Sequence, residues 1–162
     1  GYAEDNLIPI LPGHVCIYLS DTYAGLSSGK LTRARMSNWS IDNRFAPYWV
    51  MDTDNVSFVG AIEDAMSVKF NIELQANSNG MAFLANARAG TGKFLRIEAI
   101  GPLISGSDYH TLAIDAYVKI SAFGSMDDNE GVYNVSYEFT VAEEPTWNNS
   151  LVVTLKNGKI GY

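Results

Sequence analysis

The chain has 162 residues, of which 47% are hydrophobic and 18% charged, with a net charge of −7. That size suits one domain burying about two-thirds of its unfolded surface, and the apolar content excludes disorder over most of it. No apolar run reaches the roughly 20 residues that cross a bilayer as a helix, and no cluster of Lys and Arg offers the phosphate contacts that nucleic-acid binding demands.

Residues 1–13 read as an extended arm, because Pro9 and Pro12 interrupt regular strand pairing. Its acidic start lacks the basic segment and apolar stretch of a secretory signal. A first strand is expected over residues 14–19, with Cys16 between Val15 and Ile17 as a buried, unreactive thiol. As the sole cysteine it excludes an intrachain disulfide. A small-residue loop (20–29) leads to an alternating piece over 31–36.

Residues 37–63 then carry Trp39, Phe45, Tyr48, Trp49 and Phe58 among Asp42, Asp52 and Asp54, with no sustained period. A loop this long inside a compact domain is functional or disordered, and its aromatic content argues against disorder. Either these rings fold back on the core, or they project as a loop or hairpin whose apolar side a neighbouring subunit buries.

Regularity returns at residues 66–74, where Val68, Phe70, Ile72 and Leu74 oppose Ser67, Lys69, Asn71 and Glu73. Capping residues over 76–80 precede a helix over 81–89 with the stripe Met81, Leu84 and Arg88, ended by Gly90 and Gly92. A strand over 94–100 follows. From 111 to 123 Leu112, Ile114, Ala116, Val118, Ile120 and Ala122 fall on one face, with Asp115, Tyr117, Lys119 and Ser121 on the other. After a turn at 126–131, Tyr133, Val135, Tyr137, Phe139 and Val141 share a face. An acidic Pro/Trp turn (143–150) and a strand over 151–156 close the series. The fold class is mainly β: an antiparallel β-sandwich or barrel of seven to eight strands with one short flanking helix. The expected organisation is an N-terminal arm (1–13), a single sandwich domain (14–157) with a long loop (37–63), and a C-terminal tail (158–162).

Motifs for chemistry are missing. Gly90-Thr91-Gly92-Lys93-Phe94 is similar to the end of a phosphate-binding loop, yet Ala87 stands where its first Gly belongs and Phe94 replaces the magnesium-holding hydroxyl. His14 and His110 lack partners at metal-ligand spacing, and no Gly-x-Ser-x-Gly elbow occurs. The acidic pairs Glu63-Asp64, Asp127-Asp128 and Glu143-Glu144 read as solvated turns, because none has the ligand order of a calcium loop. No cofactor, metal or catalytic residue is expected, and the chain reads as a non-enzyme.

The residues from Gly131-Val132-Tyr133 through Tyr137-Glu138-Phe139-Thr140-Val141 and Thr146-Trp147 to Leu155 resemble the C-terminal half of major tail tube proteins of long-tailed bacteriophages. Upstream, Phe83-Leu84-Ala85-Asn86-Ala87-Arg88 and Ile97-Glu98-Ala99-Ile100-Gly101 fit the helix and following strand of that family, so the likeness spans roughly residues 66–157. The resemblance implies a β-sandwich subunit that assembles with itself into hexameric rings, stacked into a tube inside the virion tail after assembly in the host cytoplasm. It implies a tape-measure protein and tail-end proteins as partners, and passage of DNA without specific binding. Such lumens are commonly acidic, and a like-charged wall keeps phosphates from adhering. Subunit contacts are then expected at Trp39, Phe45, Tyr48, Trp49 and Phe58, and a lumen face at Lys69, Asn71 and Glu73. Two other readings stay open: a carbohydrate-binding sandwich with Trp39, Tyr48, Trp49 and Trp147 as a stacking platform, or another virion protein such as a decoration or neck subunit.

Overall fold

The computed structural model describes residues 9–42, 44–51 and 57–158; most of the arm and the end of the tail lie outside them. Nine strands and one helix follow in order: β1 (Val15–Ser20), β2 (Ala34–Asp42), β3 (Phe45–Tyr48), β4 (Gly60–Glu63), β5 (Ser67–Gln75), α1 (Ser78–Ala89), β6 (Lys93–Ser105), β7 (Asp108–Asn129), β8 (Val132–Val141) and β9 (Leu151–Lys156). Seven form one antiparallel sheet in the order β1-β6-β7-β8-β5-β2, with β9 attached to β7; β3 and β4 form a separate hairpin. The mainly-β fold with one helix is therefore as the sequence implies.

The sheet is organised around β7. Its first half pairs with β6 on one side and β9 on the other, and its second half pairs with β8. Register shifts between Ile120 and Ala122 and between Phe123 and Met126 mark bulges, which bend a strand and increase its twist. The sheet folds on itself there. The apolar side of β1, β6 and the first half of β7 (Ile17, Leu19, Leu95, Ile97, Ile114, Ala116, Val118) meets that of β5 and β8 (Val68, Phe70, Ile72, Leu74, Val135, Tyr137, Phe139) in one buried cluster. The alternation read from residues 66–74, 111–123 and 133–141 is this core from Val68 to Leu74, up to Ile120 and from Val135 to Val141; Ala122 falls beyond the bulge and Tyr133 is exposed.

Strands β8 and β9 lie in one row along the same edge of β7. Tyr117 is the joint: its backbone C=O accepts from Ala142 N (2.9 Å) and its N–H donates to Ser150 O (3.3 Å). The intervening turn leaves the row and returns to it. Its shape is self-contained, because Glu144 accepts from Trp147 N (2.6 Å) and Thr146 Oγ1 (2.6 Å).

Helix α1 caps one end of the core. Asn77 Oδ1 accepts from Asn79 N (3.0 Å) and Gly80 N (2.9 Å), and Gly90 closes the helix in the left-handed conformation. Gly80 sits so close to β5 that an added Cβ would lie 2.2 Å from Gln75 O. Tyr137 donates its hydroxyl to Gly80 O (2.7 Å) from inside the core. The helix begins three residues earlier than expected, and its buried side differs from the expected stripe. Met81, Phe83 and Leu84 pack on the core, while Arg88 is exposed in the last turn.

Three further expectations are corrected. The second strand starts at Ala34 and runs to Asp42, not over 31–36; Lys30 and Leu31 instead cross the edge of β1, with Leu31 N donating to Ile17 O (2.8 Å). The described part of the 37–63 segment is largely strand, the end of β2 and the β3–β4 hairpin, with residues 49–51 and 57–59 irregular. Cys16 is half-buried rather than buried, because it points away from the core on a strand at the edge of the sheet.

Candidate assembly surfaces

Trp39 ends up on the core side of β2, opposite Phe70. It is nevertheless 47% exposed, because β2 pairs only with β5 among the described strands and the opposing half-sheet does not reach over it. Past Asp42 the chain leaves the sheet as the β3–β4 hairpin, registered from Phe45↔Glu63 to Tyr48↔Gly60. Trp49 meets Phe58 edge-on at 6.0 Å just beyond the paired residues, and Arg44 lies over the Phe45 ring at 5.4 Å. Phe45, Tyr48, Trp49 and Phe58 are all exposed, as are Met51, Val59 and Ile62. Phe45, Tyr48, Trp49 and Phe58 thus sit together on and beside the hairpin and do not fold back on the core, whereas Trp39 lies on the core side of the main sheet, half-exposed. Two-stranded hairpins are marginal in water by themselves, so a surface this apolar calls for a covering partner.

Lys69, Asn71 and Glu73 lie on the side of β5 that faces away from the core, in register with Thr140, Glu138 and Ser136 of β8. Asn38 and Ser40 of β2 continue this polar face. Lys69 pairs with Glu138 at 3.3 Å, and Ser121 donates to the same carboxylate at 3.1 Å. By register, Lys69 and Lys119 share this face with Asp42, Glu73, Asp127 and Glu138, so it is weakly acidic and otherwise mostly hydroxyl and amide. Both sides of this four-stranded half are open: the second half of β7 beyond Val118 pairs with β8 alone, and β2 with β5 alone, among the described residues.

The other half of the sheet has a different outer face. Arg96 and Asp115 form a paired, nearly buried ion pair to which Tyr23 adds its hydroxyl (3.0 Å). Hydrogen bonding to Asp115 raises the Arg96 pKa against the opposing effect of burial, and burial with the Asp115 contact raises that of Tyr23. Trp147 closes the group, packing on Tyr23 (5.1 Å) and on Phe94 (5.5 Å). Trp147 is thereby engaged in an aromatic cluster of its own, and the platform of Trp39, Tyr48, Trp49 and Trp147 expected for a sugar binder is not assembled. On the same face, burial and the neighbouring Cys16 and Glu98 push the Tyr18 pKa to about 12.

The sequence reading missed the apolar residues exposed on β7, β8 and β9. Phe123, Met126 and Tyr133 are exposed towards the tip of the β7–β8 hairpin, and Val153 and Leu155 on β9. By sequence Tyr133 belongs to the core face of its strand, Met126 to the turn, and Phe123, Val153 and Leu155 to no face; among the described residues they are left largely uncovered. Among the described residues, no three His, Cys, Asp or Glu side chains converge as a metal site would require, and no helix is long and apolar enough to cross a membrane.

Among the described residues the sheet thus has open edges and a polar face, and the aromatic hairpin is uncovered. One solved structure, a hybrid solid-state NMR and cryo-EM determination of the SPP1 tail tube, superposes over 91% of this chain and 80% of its own at a TM-score of 0.62. The fold is shared with a phage tail tube. Sequence identity between the two is 14%, so the likeness lies in the architecture. No family model matches the sequence, and no curated protein compared with it does so either.

Proposed function

We propose that the chain is a non-enzymatic structural subunit of a bacteriophage tail tube, assembling with itself into hexameric rings that stack into the conduit for DNA. The observation that carries this reading is the β3–β4 hairpin: in a fold similar to that of a tail tube, it holds a strongly apolar surface that the described residues leave bare. Trp39, Phe45, Tyr48, Trp49 and Phe58 are the subunit contacts, residues 14–157 act as one unit, and the arm (1–13) joins the 37–63 segment in ring-to-ring contact. The four-stranded half with two open edges supports a continuous inner wall made by several copies, with Lys69, Asn71 and Glu73 towards the bore. Such a wall repels phosphate weakly and offers it few cations, which suits DNA that passes without adhering. A tape-measure protein inside the bore and tail-end proteins at its ends complete the assembly, formed in the host cytoplasm and retained in the virion.

The test is negative-stain electron microscopy of the purified protein over a range of concentrations. Hollow rods with a regular axial repeat and six-fold end views are expected. A monodisperse monomer at every concentration, also in the presence of tail tips as seeds, overturns the reading.

A further inference from the structure

Strand β9 leaves a second bare apolar surface. Leu155 stands opposite Leu112 and Val153 opposite Ile114, and Ile114 belongs to the core, so all four side chains point to the core side of the sheet. The core reaches β9 only at Leu151; beyond it Val153 is 55% exposed and Leu155 67%. The far edge of β9 is unpaired among the described residues, and an exposed apolar edge strand without Pro or inward-pointing charge is a template for another strand. The Lys156–Asp108 ion pair (2.6 Å) marks the rim of this surface.

We propose that the β3–β4 hairpin of one copy docks on the β9 face of a second copy. This rests on the self-assembly reading above and adds the receiving surface. The hairpin is strand-like, apolar and unpaired along its outer edges among the described residues, and it carries more exposed apolar side chains than the other open edge, the second half of β7 with Phe123 and Met126. Its four rings, each about half exposed, put roughly 400 Å² of aromatic surface in water, the scale of the largest apolar patch on a whole monomer. With Met51, Val59 and Ile62 added it approaches the ~800 Å² per partner of a specific interface, more than Val153 and Leu155 cover alone, so the contact includes the open backbone edge of β9. Hairpin and β9 face are different surfaces, so the contact is head-to-tail. Such contacts close rings or propagate filaments, whereas a self-complementary patch stops at a dimer.

The experiment uses two variants of the full chain. Tyr48→Asp with Trp49→Asp spoils the hairpin, and Val153→Asp with Leu155→Asp spoils the β9 face. Each alone is expected to be a monomer with the wild-type circular dichroism spectrum. Mixed, the two retain one intact hairpin and one intact β9 face between them, and sedimentation is expected to show a one-to-one heterodimer. If wild type forms tubes and the mixture stays monomeric, the docking is overturned and the tube reading stands. If wild type does not assemble at all, both fall. A photo-crosslinker placed at Trp49 gives an answer that does not depend on the β9 variant folding. Linkage to residues 151–156 of an isotopically distinct copy is expected, and linkage only elsewhere overturns the proposal.

Discussion

Arg96 and Asp115 stand opposite each other in register across β6 and β7, joined by two parallel hydrogen bonds, Nε to Oδ1 at 2.6 Å and Nη2 to Oδ2 at 2.7 Å. The pair ties the two long strands together on their outer face and receives the Tyr23 hydroxyl from the 3-10 turn region after β1. Asp115→Asn leaves the guanidinium facing a neutral amide in a largely dry site. Removing one partner of a buried pair costs about 3–5 kcal/mol, and the partial exposure of Arg96 places the loss towards the lower figure. The urea midpoint of unfolding is expected to fall with an unchanged slope. Trp147 emission should shift as Tyr23 loosens, read in a variant that keeps Trp147 as its sole tryptophan.

Glu144 gives a pH dependence with a definite sign. Hydrogen bonds from Thr146 and Trp147 hold its carboxyl below the ordinary 4.5. The folded value is the lower one, so the stabilisation is complete above 4.5 and is lost as pH falls through the depressed folded value. The turn at 143–150 is expected to loosen on acidification before the sheet does, seen in exchange of the Trp147 backbone amide. Glu144→Gln should remove that step.

Gly92 has no room for a side chain, since a Cβ there would lie 2.3 Å from Cζ and 2.2 Å from the hydroxyl of Tyr117. Gly92→Ala is expected to cost about 1–3 kcal/mol through overpacking. Tyr117→Phe should not relieve it, because the ring carbon remains. Tyr117→Leu should, and a double-mutant cycle by thermal denaturation would show the coupling.

The cap of α1 is equally specific. Asn77→Ala leaves the amides of Asn79 and Gly80 without their acceptor and is expected to cost about 1 kcal/mol. Asn77→Asp keeps the acceptor and adds a charge that favours the helix start, so its midpoint should equal or exceed that of wild type in low salt.

Tyr48→Ala with Trp49→Ala tests the hairpin itself. These side chains are exposed, so chain stability should change by no more than about 0.5 kcal/mol each, while rods disappear from micrographs. Unaltered rod length in this variant would remove the hairpin from the assembly.

What the sequence disclosed follows from where one side of a strand is buried. Val68 to Leu74, Leu112 to Val118 and Val135 to Phe139 alternate because each faces the same core, and period two is the signature of that geometry. Ala122 and the turn read at 126–131 broke the inference: a bulge beyond Ile120 puts Ala122 opposite Glu138 and Phe123 opposite Tyr137, β7 runs on to Asn129, and no pattern in the sequence announces a bulge. The hairpin was legible as an anomaly and not as a structure, since strands exposed on both faces have no apolar side to repeat. Arg88 joined the helical stripe by spacing alone, whereas packing selected Phe83, whose ring meets Tyr137 at 6.0 Å. The contact of Tyr23 with Trp147 spans most of the chain, and only the fold brings the two together.

The row shared by β8 and β9 has a consequence for a severed chain. A protease that cuts in the exposed turn between Ala142 and Ser150 would leave both fragments hydrogen-bonded to β7 on either side of Tyr117. The nicked molecule would hold its shape. Foreign peptides spliced into that turn would leave the pairing of either strand undisturbed, so an epitope or a fluorescent label could be carried there.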